Sequence, residues 1–213
     1  MSIIPLRRVR ALAATAALVA ALASASAGAV ALAPPASAAP LPIEQRIDAV
    51  AHIASLDQDV EIEGGSFTGT VDPATGAITG TISLPPASSF VNLAGLIPAA
   101  RATFAMTPVG PATGTVDLAG GTASITSTFD IRVPEIDPLG VGLVNLSTPT
   151  CTTVTPITVT MSGPFNLTGA STFSGTFTIP QFRDCGLATA ALNLLAPGPG
   201  NTFTATATPV PAG

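Results

Sequence analysis

From Gly65 onward, hydrophobic and polar residues alternate with a period of two over most of the chain, the pattern of strands that bury one face. Phe67, Gly69 and Val71 stand on one side, and Ser66, Thr68 and Thr70 on the other. After Asp72-Pro73-Ala74-Thr75-Gly76 the pattern resumes, with Ile78, Gly80, Ile82 and Leu84 against Thr79, Thr81 and Ser83. The interruption has the chemistry of a hairpin turn. Asp72 can bond the turn backbone, Pro73 fixes φ, and Gly76 accepts a left-handed conformation. A second hairpin places Gly114, Val116 and Leu118 before Gly120-Gly121, and Ala123, Ile125, Phe129, Ile131 and Val133 after it. A third pairs Ile157, Val159 and Met161 with Phe173, Gly175, Phe177 and Ile179. The last strand sets Phe203, Ala205 and Ala207 against Thr202, Thr204, Thr206 and Thr208.

Clean alternation of this kind belongs to antiparallel sheets with one apolar face. The expected fold class is therefore all-β with minor helices: an antiparallel β-sandwich or half-open barrel with an N-terminal helix packed at one end. That helix is read over Pro42 to Leu56, where Ile43, Ile47, Val50 and Ala54 recur at helical spacing and Glu44, Gln45, Arg46 and Asp48 fall elsewhere. Leu187 to Ala196 is a second helix, stopped by Pro197-Gly198-Pro199-Gly200. Val91 to Ala100 and Ile136 to Leu146 are apolar without alternation and read as short helices, crossovers or rim loops.

The start of the chain follows different rules. Arg7, Arg8 and Arg10 precede an uncharged, alanine-rich run that ends at Ala36-Ser37-Ala38. This predicts a secretory signal peptide over residues 1–38, cleaved after Ala38, and a single β-rich domain over 39–213. Arg10 stands where twin-arginine export wants an apolar residue, which favours Sec export. Pro34 and Pro35 break the run as an anchoring helix. The expected setting is secreted or envelope-associated, with no transmembrane anchor after cleavage.

Composition narrows the partners. Only 9% of the 213 residues are charged, and Lys, Trp and Tyr are absent. After cleavage, four arginines face twelve acids, a net charge of −8, so nucleic-acid binding is excluded for want of clustered cations. Cys151 and Cys185 are the only cysteines. In an oxidising compartment they are expected to form a disulfide.

Candidate chemistry is sparse. Any histidine-dependent catalysis would need His52, the only histidine, which belongs to no motif. Gly64-Gly65-Ser66-Phe67-Thr68 falls short of a nucleophile elbow. Asp57, Asp59, Glu61 and Glu63 line one face of a strand, but the segment fails as a calcium loop because Ile62 stands at the glycine position; it reads as a solvated acidic edge. No catalytic residue, metal site or cofactor is expected.

Two surface patterns remain. If Val71 pairs with Ile78, Gly69 faces Gly80, and the same register puts Gly114 opposite Ser127. Such small residues on the apolar face leave room that helices fill or that an apolar ligand occupies. Gly69, Gly80, Gly114 and Ser127 are therefore the candidate ligand-binding residues. On the other face, Thr-x-Thr recurs, either as uncharged filler of exposed strands or as a hydroxyl surface.

Thr178-Ile179-Pro180-Gln181-Phe182-Arg183-Asp184-Cys185-Gly186, followed by Gly198-Pro199-Gly200-Asn201 and a Thr-rich last strand, resembles small exported proteins of high-GC actinobacteria whose function is unassigned. The alanine-rich leader is similar to theirs. The resemblance covers about a third of the mature chain and implies an envelope or extracellular setting, with no catalytic residue carried over. The function expected is non-enzymatic: an exported, envelope-associated β-domain that binds a lipid-like or other apolar ligand. The alternative is a structural or adhesive module whose Thr-rich face meets carbohydrate or a partner protein.

Overall fold

The computed structural model describes residues 38–93, 97–138 and 140–210, with backbone alone for 92–93 and 97–99. The expected signal peptide lies outside the described residues, Ala38 excepted. The elements are β1 (Leu41–Ile53), β2 (Gln58–Val71), β3 (Ala77–Ser83), β4 (Ala87–Leu93), β5 (Ile97–Pro108), β6 (Ala112–Asp117), β7 (Thr122–Asp137), β8 (Thr152–Thr153), β9 (Ile157–Pro164), β10 (Ser171–Ile179), β11 (Phe182–Arg183), a 3-10 turn (Gly186–Ala188), α1 (Thr189–Leu195) and β12 (Gly198–Pro209).

Eight strands close on themselves in the order β1-β2-β3-β6-β7-β9-β10-β12, all neighbours antiparallel. The apolar face expected from the alternation lines the interior. The sandwich and the half-open barrel give way to a closed barrel, because β7 pairs with β9 over Thr122–Phe129 and β12 returns to β1 over Gln45–His52. Closure leaves no free edge within the ring. Phe67, Phe129, Phe173, Phe177 and Phe203 are all buried inside it, so the interior is packed with side chains, as the diameter of eight strands permits.

The expected N-terminal helix is instead β1. Ile43, Gln45, Ile47, Ala49, Ala51 and Ile53 face inward in strict alternation. The helical spacing of Ile43, Ile47 and Val50 held only with Gln45 on the polar side. Pairing with β2 on one flank and β12 on the other buries Gln45 and leaves Val50 39% exposed, and tertiary pairing overrides the weak local preference. A register shift between Ile47 and Ala49 bends the β1–β2 pair. There the Asp48 carboxylate accepts the Gly64 N–H at 2.8 Å and an Arg46 N–H at 3.3 Å, which holds its pKa below the ordinary carboxylate value, the Gly64 bond first.

The connections at the two ends of the barrel differ. One end carries short turns: Pro73–Gly76, Leu118–Gly121 and residues 165–170. The first is the turn read from sequence, with the Asp72 carboxylate accepting the N–H groups of Ala74 and Thr75. Every long connection emerges at the other end: β4–β5 between β3 and β6, the 138–156 segment after β7, and the β11–α1 segment after β10. Val91 to Ala100, read as irregular, therefore belongs mostly to the β4–β5 hairpin, and β5 pairs with the distal half of β7. Of Ile136–Leu146, only Ile136 and Asp137 end β7, and the described residues that follow are loop. Leu187–Ala196 is helical as expected, through the 3-10 turn and α1.

Candidate functional site

The long connections cap the barrel and enclose an apolar cleft. The Cys151–Cys185 disulfide forms as expected, tying the 138–156 segment to the residue just before the 3-10 turn. The Ala188 N–H donates to the Leu146 carbonyl at 3.2 Å. Asn193 clamps α1 to β11, accepting the Phe182 N–H at 2.6 Å and donating to the Phe182 carbonyl at 2.9 Å. The Ser55 hydroxyl donates to the Ala196 carbonyl at 3.0 Å, fixing the end of α1 against the β1–β2 turn. The helix is thus held at both ends over the barrel mouth.

Between α1 and the β4–β5 hairpin lies a cavity of about 150 Å³, whose walls include Leu56, Ala102, Phe104, Leu146, Leu192 and Leu195. Every described residue that lines it is aliphatic, aromatic or proline. A second space of about 40 Å³ continues toward the barrel interior past Leu56, Phe104 and Ala196. Among the described residues no acid, base or nucleophile lines the larger cavity, so its chemistry is that of burial.

Comparison with protein families, with curated proteins and with solved structures finds no match to this chain. The geometry of the site must carry the functional reading.

The four residues expected to bind ligand sit elsewhere in the barrel. Gly69 faces Gly80, as the register predicts, and both glycines face inward. The notch is occupied: a Cβ on Gly80 would lie 2.5 Å from the Phe67 ring. The pairing of Gly114 with Ser127 is corrected by two residues. Gly114 pairs with Ile125 and Ser127 with Val159, because the turn is Leu118–Gly121, closed by the Asp117 carbonyl accepting the Gly121 N–H, and so is centred one residue earlier than Gly120-Gly121. None of the four lines the cleft. A Cβ on Gly69 or Gly114 would run into a backbone carbonyl of the next strand, that of Thr79 or Ser124. These glycines let the sheet bend.

His52 lies on the outer wall of β1, its Nδ1 2.8 Å from an Asp59 carboxylate oxygen and its Nε2 4.0 Å from Asp57. Asp59, Glu61 and Glu63 share the outer face of β2 as expected, while Asp57 sits in the preceding turn at φ +49°. Among the described residues no group of His, Cys, Asp and Glu has the geometry to hold a metal ion. The cleft residues escaped the sequence reading because they come from four distant segments. The available signal was the apolar, uncharged character shared by Val91–Ala100, Ile136–Leu146 and Leu187–Ala196.

Proposed function

We propose that the protein is an exported, non-enzymatic β-barrel of the cell envelope that binds a lipid-like ligand in the apolar cleft under α1. The cleft itself carries this reading: a cavity whose described walls are all apolar, at the end where all long connections meet. Its volume of about 150 Å³ decides the ligand class. A cavity of roughly that size lined by aliphatic and aromatic groups admits a molecule as small as benzene, whereas drug-sized ligands need about 300 Å³ or more. The cleft therefore takes the end of one alkyl or acyl chain and leaves the rest of the lipid outside. The disulfide is compatible with an extracytoplasmic location, and the arginine-led leader supports export.

Native mass spectrometry in the presence of lauric acid tests the reading. The wild type is expected to carry one fatty acid. Ala191→Phe, which places a ring on the cleft wall from an exposed helix position, is expected to lose it with little change in thermal stability. Protein stripped of ligand that takes up neither fatty acid nor a hydrophobic dye would end the proposal.

A second reading rests on a separate observation. Thr70, Thr79, Thr113, Thr126, Thr160, Thr176 and Thr202 are direct cross-strand neighbours in turn, a hydroxyl belt around seven of the eight barrel strands. Such a belt supports adhesion to carbohydrate. Retention on cell-wall polysaccharide, undiminished in Ala191→Phe, would favour it over the cleft.

A further inference from the structure

We propose that the capped end docks on an uncharged lipid surface, with the rim of the cleft as the inserting element. This goes beyond ligand binding, because the docking can succeed or fail whether or not the cleft is filled.

Among the described residues, the six most exposed large hydrophobics all lie at this end: Leu187, Leu194, Leu143, Val141, Phe90 and Val144. The first three are 86%, 83% and 81% exposed. They come from the 3-10 turn and α1, from the 138–146 loop and from β4, the segments that border the cavity. Leu187 is itself part of the cavity wall. Phe90 packs beside Gly140, where an added Cβ would come within 3.0 Å of its ring, and the Ala188–Leu146 hydrogen bond joins helix to loop. The exposed side chains thus stand on segments that border the cleft and are joined to one another.

Charge selects the occupant. Ser88–Ala100, Pro138–Thr150 and Cys185–Gly200 contain no charged residue, although the mature chain carries −8; the cation nearest the rim, the exposed Arg101, stands opposite Phe90 on one side and Asp137 on the other. A rim bordered by a single arginine that an aspartate faces, on an acidic protein, gains little from anionic headgroups, and its protruding leucines pay no desolvation of charge on entering a neutral layer. The leucines protrude singly from separate elements. Such pegs suit a fluid surface that closes around them better than a protein surface, which requires a fitted, hydrogen-bonded interface. Insertion is confined to this end, because the barrel wall carries threonine and acidic side chains outward and apolar ones inward, the reverse of a membrane-spanning barrel. A docked rim would bring the cleft mouth level with the acyl chains.

Flotation with phosphatidylcholine vesicles tests the proposal, using the disulfide-intact protein and a Leu143→Ser/Leu187→Ser/Leu194→Ser variant. The wild type is expected to float with the vesicles. The variant is expected to lose at least about tenfold in partition for each leucine fully withdrawn from water, with its melting temperature unchanged because these side chains are exposed. Ala191→Phe is expected to float like the wild type, which separates docking from cleft occupancy. Absence of flotation, equal flotation of the triple variant, or sedimentation showing a dimer that the triple variant abolishes would each overturn the proposal, the last in favour of a second copy of the chain.

Discussion

Among the described residues, Gln45 is the buried position where side-chain chemistry and surroundings disagree. Its side chain faces the barrel interior, 5% exposed, between Phe67 on β2 and Pro209 on β12, and its Nε2 has no hydrogen-bond partner among the described residues. A buried amide donor left unpaired costs about 1–3 kcal/mol. Gln45→Met keeps length and approximate volume while removing that donor, and is expected to raise the unfolding free energy by about 1 kcal/mol, read from the urea midpoint at constant slope. A lowered midpoint would mean that the amide is satisfied. The same residue explains why the β1 sequence suggests a helix: an inward glutamine breaks the alternation that makes the other barrel hairpins legible. Gly69 and Gly80 show the converse, since their register was readable from the turn chemistry of Asp72 to Gly76. That Phe67 fills the space above them was not, because which side chain leans over a glycine depends on rotamers that spacing does not encode.

At the scale of elements, the barrel strands and the cap are held by different forces. The strands bury alternating apolar faces and add threonine pairs outside, such as Thr126 with Thr160 at 3.0 Å and Thr128 with Thr158 at 3.3 Å, contributions of a few tenths to about 1 kcal/mol each. The helix α1 spans only seven residues, too short to be stable alone. It depends on the Asn193 clamp and the disulfide, whose cysteines are 34 residues apart. Replacing both cysteines, Cys151→Ser with Cys185→Ser, is expected to lower stability by about 3–4 kcal/mol while the far-UV circular dichroism stays that of a sheet. Loss of the sheet signal would show that the staple holds the barrel as well as the cap. This division also marks the limit of legibility. Hairpins are local and announce themselves by turn residues and period. The cleft is assembled from Leu56, Phe104, Leu146 and Leu192, which no sequence period connects.

At the scale of the molecule, the threonine belt measures how the sheet is rolled. Followed from strand to strand, it leaves β1 opposite Pro42 and returns opposite His52, a stagger of ten residues along one strand. Such a stagger requires the strands to tilt by about 35–45° to the barrel axis. The seam between the first and last strands completes the ring, so its stability belongs to the whole rather than to any hairpin. Removal of Gly198–Val210 is expected to abolish the cooperative urea transition followed by circular dichroism, since β1 and β10 would both be left with bare edges. A truncated chain that still unfolded in one sharp step would mean that a seven-stranded sheet is stable by itself. The seam also imposes an order in time. β1 can pair with β2 as soon as both are made, but its other edge waits for β12, so a polypeptide emerging stepwise from a ribosome stays an open sheet with an uncovered opening strand until the closing strand is delivered.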